Sequence, residues 1–245
     1  MNEINHFCFG DFCSADHNII LTAQPQEVFA ERDVETVSIA GRSGDLIRDN
    51  GRYKNVTVSF DCAIIPDDTC NMREALIAAI DQLNPTADYR RLTSTYAPGY
   101  FRMARVTSGI SVSSIVEQAG TFKLAFDCKP QRFLEAQENE TLLVEATDFW
   151  NPCGQPSKPL ITVYGTGPGT LTIGNTTVEI KYMDDQITLD CDLMTAYRKV
   201  GDAPAENKNS DIHAPEFPEL APGANRISWD GGIERIAVIP RGWTL

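Results

Sequence analysis

The sequence contains no long apolar run. Across its 245 residues, no stretch approaches the ~18 consecutive apolar residues that a membrane-spanning helix needs, so we expect no membrane span and no membrane partner. The first residues, MNEINHFCFGDFCSADHN, also lack the basic segment and apolar core that together mark a signal peptide. A chain of this length is predicted to form one large domain or two ordinary ones.

Basic residues are scarce. The 21 Lys and Arg residues are outnumbered by 34 Asp and Glu, for a formal net charge of −13. Proteins that grip nucleic acid need cationic side chains to neutralise phosphates, so this balance argues against that function. Because the hydrophobic content of 42% is ordinary for a globular protein, the acidic excess predicts a soluble chain whose surface repels polyanions.

Common catalytic motifs are missing as well. The three histidines, His6, His17 and His213, are far apart, and none belongs to an H-E-x-x-H pattern. GRSGD at 41–45 is one residue short of the G-x-S-x-G serine motif, and no Walker lysine follows a glycine-rich loop. GTGPGT at 165–170 lacks the last glycine of a dinucleotide fingerprint and leads into a strand pattern instead of a helix. We therefore expect no catalytic residue, no cofactor and no enzymatic activity.

The cysteines include no C-x-x-C pair. There are seven, at Cys8, Cys13, Cys62, Cys70, Cys128, Cys153 and Cys191. Without a secretion signal, reduced thiols are favoured over a disulfide framework. His6 and His17 bracket Cys8 and Cys13, but this spacing fits no common zinc-site pattern. Chance clustering is the better interpretation, so no metal site is predicted.

Strand patterns dominate the first half of the chain. In NVTVSFDCAII at 55–65, every second residue is apolar: Val56, Val58, Phe60, Cys62 and Ile64. This period of two places all of them on one face of a half-buried strand. TFKLAFDC at 121–128 repeats the alternation, and YFRMARV at 100–106 is a shorter strand candidate.

One helix is predicted between these strands, in NMREALIAAIDQLNP at 71–85. Asn71 and Glu74 have the spacing of a capping box, and Pro85 ends the helical pattern. The face expected to lie on a sheet carries Met72, Leu76, Ile80 and Leu83.

The second half reads as a series of short strands at fairly regular spacing, which favours a β-sandwich or jelly roll. YGTGPGT at 164–170 and WDGG at 229–232 are predicted to be tight turns between them. Asp184 and Asp185 are predicted to form another hairpin turn, with a calcium site as the less favoured alternative. Trp229 alternates with Ile227 and is expected to face the core, although an exposed ring would suit a sugar.

Five stretches, taken together and in order, resemble one family. They are VSIAGRSGDLIRDNGRYKNVTVSFDC (37–62), YRRLTSTYAPGYFRMARV (89–106), FDCKPQRFL (126–134), ITLDCDLMTAYRKVG with NKN (187–209) and FPELAPGANRISWDGG (217–232). They are similar to the distal tail (Dit) proteins of long-tailed, non-contractile phages and prophages, especially those of Gram-positive hosts. The matching stretches span nearly the whole chain.

The resemblance implies a mostly β protein with two domains. Residues 1–134 would form an N-terminal β-sandwich with one α-helix and an extended hairpin, and residues 135–245 a C-terminal galectin-like, jelly-roll β-sandwich. Six N-terminal domains would form a homohexameric ring that joins the tail tube protein to the tail-tip hub, while the C-terminal domains would serve as a docking platform for receptor-binding or side-tail proteins. DNA would only pass through the channel. The protein would be assembled in the bacterial cytoplasm and located at the virion tail tip.

The expected ring interface lies in GRSGDLIRDNGRYKN at 41–55. Its residues are Gly41, Arg42, Gly44, Asp45, Arg48, Asp49, Gly51 and Arg52. The glycines permit tight turns and close backbone approach, and the charges alternate in sign as paired interface charges would. The alternative is an ordinary exposed hairpin with mixed charges.

The alternative function is a carbohydrate-binding module that recognises host cell-wall sugar.

Overall fold

Two compact units make up the chain. The computed structural model describes residues 4–65, 72–83, 87–107, 112–116, 119–201 and 203–245. The first unit comprises Met1–Arg132 together with Leu245, and the second comprises Phe133–Thr244. The fold is mostly β, as predicted. Among the described residues, no helix is both long and apolar enough to cross a bilayer.

The first unit contains ten strands and one α-helix within its described residues. The strands are β1 (Phe7–Phe9), β2 (Phe12–Cys13), β3 (Ile19–Leu21), β4 (Arg32–Val37), β5 (Leu46–Tyr53), β6 (Val56–Ile64), β7 (Arg90–Ser94), β8 (Tyr100–Val106), β9 (Val112–Val116) and β10 (Ala119–Cys128). The helix α1 covers Met72–Leu83, and a short 3-10 helix covers Ser14–His17. Seven strands pair in the order β2-β1-β7-β8-β10-β6-β3, β9 lies beside β10, and β4 and β5 form a separate two-stranded sheet.

Phenylalanine rings fill the buried face of the larger sheet. The alternation predicted for β6 is confirmed, with Phe60, Cys62 and Ile64 all buried. Phe7 stacks on Phe60 with ring centroids 5.3 Å apart, and Phe126 meets Phe7 edge-on at 5.7 Å. Such ring pairs contribute about 0.5–1.5 kcal/mol beyond the burial of area. Because the three rings come from β1, β6 and β10, they join strands that are distant in sequence.

The predicted helix is confirmed and lies on this core. Ala79 and Leu83 are buried, and Leu76 packs against the same cluster. Ile80 is half-buried, so the covered face is close to the predicted one, with an alanine allowing close approach. Three parts of the prediction lie outside the described residues, namely Asn71, Pro85 and the side chain of Met72.

The prediction of reduced cysteines is wrong for one pair. Cys8 and Cys13 are directly opposite each other in the β1–β2 hairpin and are joined by a disulfide, with Cα atoms 4.1 Å apart. Sequence spacing did not reveal this pair, because only the tight turn at Gly10, where φ is +58°, places the two residues face to face. The other described cysteines are free and buried, namely Cys62, Cys128, Cys153 and Cys191. Cys70 lies outside the described residues.

The second unit contains eleven strands within its described residues. They are β11 (Arg132–Leu134), β12 (Thr141–Leu143), β13 (Thr147–Asn151), β14 (Leu160–Ile173), β15 (Thr176–Ile180), β16 (Asp184–Asp190), β17 (Thr195–Val200), β18 (Ala203–Asn207), β19 (Ile212–His213), β20 (Gly223–Ile239) and β21 (Trp243–Thr244). Short 3-10 helices cover Glu135–Glu138 and Asn209–Asp211. The main path is β12-β20-β14-β16-β17-β18, with β13 beside β20, β15 beside β14 and β19 beside β15, while β11 pairs with β21.

Two segments predicted to be tight turns lie instead inside long strands. β14 continues through 164–170, and β20 continues through 229–232. The two strands pair with each other on both sides of an irregularity between Gly165 and Gly169. The chain therefore bends within each strand at the places where the sequence predicted a reversal.

Glycines allow this bend because the two backbones touch there. A Cβ on Gly232 would collide with the carbonyl oxygen of Thr166, and a Cβ on Gly165 would collide with the carbonyl oxygen of Gly232. A Cβ on Gly231 would lie 2.6 Å from the carbonyl oxygen of Pro168. Glycine inside a strand often marks a bulge or a close backbone contact. The same residue is favoured in turns, which explains the wrong prediction.

The bend folds the sheet over a single core. The first half of β14 pairs with β16 and the second half with β15. Buried side chains from both halves belong to one hydrophobic cluster, including Val163 and Leu171 on β14 and Ile227 and Val238 on β20. Strands that change sheets through a bulge or bend are a standard way to build the corners of a sandwich. The second unit is therefore a β-sandwich.

Asp184 and Asp185 begin β16, so their predicted hairpin turn is wrong. They pair with Thr166 and Gly165 on the first half of β14. The preceding strand β15 pairs with the other half of β14. Because β15 and β16 lie beside different halves of one bent strand, the segment between them connects the two layers instead of closing a hairpin.

The tryptophans all lie in the second unit. Trp229 is half-buried and packs on the core beside buried Ile227, so its predicted core position is confirmed. The Nε1 of Trp243 donates to the carbonyl oxygen of Pro156 at 2.9 Å. Trp150 is 67% exposed. Tryptophan fluorescence will therefore report on the folding of this unit alone.

A buried ion pair ties the end of the chain to β16. The Asp190 side chain is 7% exposed and accepts hydrogen bonds from Nη1 and Nη2 of Arg241 at 2.8 and 3.2 Å. The backbone N–H groups of Asp192 and Leu193 also donate to it. Burial alone would raise the pKa of Asp190, but the hydrogen bonds from Arg241 and these N–H groups outweigh it, so its pKa lies below the ordinary value.

The variant Arg241→Ala should lower the free energy of unfolding by about 2–4 kcal/mol at neutral pH, because a buried carboxylate loses its partner. Asp190 has a lower pKa in the folded state, so its contribution is present above its unfolded pKa and lost as pH falls through the folded pKa. The difference between wild type and variant should therefore shrink in acid. Urea unfolding followed by tryptophan fluorescence, near pH 7 and near pH 3, measures both values.

The matched control for this prediction is Arg226→Ala, which removes an exposed ion pair with Asp148 in the same unit. Exposed pairs contribute about 0–1 kcal/mol, so this variant should unfold almost like wild type at both pH values. An Arg241→Ala cost that stayed constant with pH would contradict the role given to Asp190.

Candidate assembly interface

β4 and β5 form an exposed hairpin in the first unit. Their register runs from Val37 opposite Leu46 to Arg32 opposite Tyr53, with an irregularity between Arg32 and Val34. Almost every side chain of the two strands is exposed, and within the described part of the chain neither strand pairs with any other. Isolated two-stranded hairpins are only marginally stable, so this one depends on contacts between its own strands or with another molecule.

Ion pairs connect the two strands of the hairpin. The Nε of Arg52 donates to Oδ2 of Asp33 at 2.6 Å, and this hydrogen bond holds the pKa of Asp33 below its ordinary value. Two further pairs are Arg32 with Asp49 at 3.5 Å and Arg48 with Glu35 at 3.9 Å. Arg48, Asp49 and Arg52, which the sequence assigned to the ring interface, thus already have partners within the hairpin.

The residues predicted for the ring interface all lie in this hairpin. Gly41, Arg42, Gly44 and Asp45 lie in the loop between the strands, and Arg48, Asp49, Gly51 and Arg52 lie on β5. Gly41, Gly44 and Gly51 have φ values of +79°, +85° and +72°, and apart from their chain neighbours no atom of the described residues lies within 4 Å of a Cβ built on them. Within one chain, these glycines serve a left-handed backbone conformation instead of close packing. Their place in a ring interface stays a prediction.

The glycine and charge pattern of this stretch did not predict the exposed apolar side chains of the hairpin. Leu46 is 50% and Ile47 is 67% exposed, and Val34 and Val37 are also exposed. Adjacent residues of a strand point to opposite faces, so Leu46 and Ile47 place apolar groups on both sides of the ribbon. Two consecutive apolar residues in a charged strand were the available signal, since a strand that buries one face normally alternates.

The comparisons with known proteins give matches only among solved structures. No family model matches the sequence, and no curated protein matches it either. The chain is similar to the SPP1 Dit (gp 19.1) protein, described as a paradigm of the hub adsorption apparatus in phages that infect Gram-positive bacteria. The TM-score is 0.69 at 12% identity, over 96% of this chain and 98% of that one.

Two structures of the phage p2 baseplate in its activated conformation also match. The structure with Sr gives a TM-score of 0.52 at 8% identity, over 96% of this chain and 98% of the other. The structure with Ca gives 0.51 at 8% identity, over 96% and 97%.

This chain has the Dit fold. The match to SPP1 Dit covers 96% of the chain, so it includes both units. The family resemblance drawn from five sequence stretches is thereby confirmed for the fold, and what a fold does depends on its surfaces.

In this Dit-like chain, the first unit contains a cavity whose charged side chains form hydrogen bonds and ion pairs with other residues of the unit. The cavity measures about 70 Å³, and the described residues that line it include no histidine or cysteine. Arg102 donates to the carbonyl oxygens of Val28 and Pro130, both at 3.1 Å. Arg132 pairs with Glu27 at 3.2 Å. These contacts hold the charged side chains of the cavity within the first unit.

The structure brings together three of the four soft ligands noted near the N-terminus. Ligand atoms of His6, Cys8 and Cys13 lie within 4.8 Å of one another. The fourth residue, His17, is instead stacked on Phe12 with ring centroids 4.6 Å apart. The buried thiols elsewhere are unreactive, since burial raises the pKa of Cys62, Cys128 and Cys191 to about 12.

Proposed function

We propose that this chain is a structural protein of a phage tail tip and that it works without catalysis. Its first unit forms a hexameric ring that joins the tail tube protein to the tail-tip hub. The second unit is a galectin-like platform for receptor-binding or side-tail proteins. The observation that carries the proposal is the likeness of the chain, over 96% of its length, to SPP1 Dit of a hub adsorption apparatus.

The β4–β5 hairpin supports ring formation. A ring needs a head-to-tail contact that repeats between different surfaces of identical chains. The hairpin exposes Leu46 and Ile47 on its two faces, and burial of apolar area against a neighbouring copy stabilises such a contact by roughly 25 cal/mol per Å². The ion pairs across the hairpin already engage Arg48, Asp49 and Arg52 within the chain, so the apolar side chains are left to contact the neighbour.

The second unit offers exposed apolar side chains for docking. Leu193 and Met194, at the connection between β16 and β17, are 69% and 65% exposed. Asp190 fixes this connection, because it accepts hydrogen bonds from the N–H groups of Asp192 and Leu193. An apolar tip on a fixed support fits a protein partner.

The acidic character of the chain fits a passage for DNA. A net charge of −13 disfavours retention of a polyanion, so we assign DNA the role of passing through the channel without being bound. Carboxylates are expected to line that channel. Assembly would take place in the bacterial cytoplasm before the ring becomes part of the virion tail tip.

Labelling of virions tests this placement. An antibody raised against the full chain should decorate the end of the tail away from the head in negatively stained particles, and pre-immune serum should not. Labelling of the head, of the whole tail length or of no part of the particle would contradict a tail-tip role.

A second candidate function is carbohydrate binding by the second unit. Trp150 is 67% exposed on β13, and exposed aromatic rings of β-sandwiches can stack on sugars. A sugar array with the full chain tests this candidate. The control is Tyr182→Ala, which removes another exposed aromatic ring of the same unit. Sugar binding that is lost in Trp150→Ala and kept in Tyr182→Ala would favour carbohydrate binding over a purely docking role.

A further inference from the structure

The β1–β2 hairpin separates its side chains by chemistry. Phe7, Phe9 and Phe12 are buried in the core of the first unit. Cys8 lies between the first two on β1, and Cys13 follows the third on β2. Because successive side chains of a strand point to opposite faces, both sulfurs lie on the outer face, where each cysteine is half-buried.

His6 belongs to the same outer face. It lies two residues before Cys8. Its backbone is held by Thr95, the residue that follows β7. The N–H of His6 donates to Oγ1 of Thr95, and the N–H of Thr95 donates to the carbonyl oxygen of His6, both at 3.1 Å. The Nδ1 of His6 lies 2.9 Å from the carbonyl oxygen of Ile4. A proton on Nδ1 leaves the lone pair on Nε2, and a carbonyl bond of this kind commonly orients metal-binding histidines.

The three residues have the chemistry of a zinc site, and their ligand atoms lie close together. Their ligand atoms lie within 4.8 Å of one another. Zinc bonds to cysteine sulfur at about 2.3 Å and to histidine nitrogen at about 2.0–2.1 Å, so tetrahedral ligands lie about 3.3–3.8 Å apart. Cys8 and Cys13 lie directly opposite each other on paired strands, and two hydrogen bonds to Thr95 hold the backbone of His6 beside them. Reduction of the disulfide therefore leaves three potential ligands on neighbouring, fixed stretches of backbone.

We propose that the reduced hairpin binds one zinc ion through the thiolates of Cys8 and Cys13 and the imidazole of His6, with water in the fourth position. Two thiolates balance the charge of the ion, and sulfur with imidazole selects zinc over calcium or magnesium. The inference does not depend on the proposed tail-tip role.

Zinc and the disulfide are alternative states of the same two sulfurs. When an oxidised small-molecule disulfide such as oxidised glutathione reacts, one thiolate attacks it and a mixed disulfide forms. The second thiolate then displaces the remaining thiol group, so two electrons pass to the oxidant, which leaves as two thiolates. The Cys8–Cys13 bond forms and the zinc ion is released. The hairpin would therefore carry zinc in a reducing compartment and a disulfide in an oxidising one.

Cobalt(II) is the probe that tests the site, because it replaces zinc and absorbs light when thiolate is a ligand. The full chain, reduced and free of oxygen, should bind one equivalent of Co²⁺ with a thiolate-to-cobalt charge-transfer band that zinc then abolishes. Oxidised glutathione should release one equivalent of zinc from the zinc-loaded protein. Removing a residue that only supports a ligand typically lowers metal affinity about 10–100-fold, and removing the ligand itself should lower it more. Cys8→Ser, Cys13→Ser and His6→Ala should therefore each weaken cobalt binding at least about 100-fold.

Two controls separate this site from other thiols and histidines. His17→Asn removes the neighbouring histidine that stacks on Phe12, and Cys191→Ser removes a buried free thiol. Both variants should bind cobalt like the wild type. Circular dichroism shows whether each variant is folded, and His6→Ala leaves both sulfurs in place. A reduced wild type without the charge-transfer band, or a folded Cys8→Ser or His6→Ala variant with wild-type affinity, would overturn the proposal.

Discussion

Gly232→Ala should prevent the second unit from folding normally, with a loss of about 3 kcal/mol or more in the free energy of unfolding. The added methyl would collide with the carbonyl oxygen of Thr166, which is backbone of the paired strand β14 and cannot rotate away. Relief requires the two long strands to separate at the bend, and both layers of the sandwich depend on that bend. Urea unfolding followed by tryptophan fluorescence measures the loss, since all the tryptophans lie in this unit.

Gly154→Ala is the matched control for this prediction. It lies in the same unit, and in the described part of the chain only its sequence neighbours come within 4 Å of a Cβ built on it, so the substitution should change the free energy of unfolding by no more than about 0.5 kcal/mol. If Gly232→Ala were as stable as Gly154→Ala, the close contact of the two backbones would be wrong, and the single bent sheet with it.

If the chain assembles through the β4–β5 hairpin as proposed, Ile47→Asp should convert the assembled particle into monomers. Ile47 is 67% exposed in the isolated chain, so a carboxylate there costs the fold of the monomer almost nothing. In a ring interface the same carboxylate would be buried without a partner, at a cost of several kcal/mol per contact. Light scattering should therefore show the mass of one chain, 27.1 kDa, and circular dichroism should show an unchanged β fold.

Leu193→Asp is the control for that experiment. It places the same charge at an exposed apolar position, 69% exposed, in the second unit, which the proposal assigns to docking and not to ring closure. This variant should assemble like the wild type. Assembly of Ile47→Asp into particles of wild-type mass would remove the hairpin from the interface, and dissociation of both variants would show a general effect of charge.

Local patterns in the sequence were enough to predict the strands and the helix that bury one face. The alternation from Val56 to Ile64 predicts β6, and the spacing of Leu76 and Leu83 predicts α1, because in each case one repeat matches one buried face. The glycines near 165–169 and 231–232 led to a wrong prediction, because turns were expected where β14 and β20 continue. A glycine needed for a turn and a glycine needed for close backbone contact are identical in a single sequence, and only the pairing of β14 with β20 tells them apart.

The candidate sites likewise depend on strand pairing that local sequence patterns do not specify. The stretch 41–55 was selected for its glycines and charges, but Arg48 and Arg52 find their partners Glu35 and Asp33 on β4. The exposed side chains that have no partner across the hairpin include the apolar Leu46 and Ile47, and this becomes visible only when the register of the hairpin is known. Likewise, Cys8 and Cys13 have no recognisable metal or disulfide spacing until the turn at Gly10 places them opposite each other.

The most direct test of the central claim is the absolute mass of the purified full chain, measured by light scattering on the same peak that is then imaged in negative stain. We expect a single particle of six times the 27.1 kDa of one chain, or 162.6 kDa, with a central hole. A chain that remains monomeric at every concentration and also when mixed with the tail tube and hub proteins of its own phage would contradict the ring.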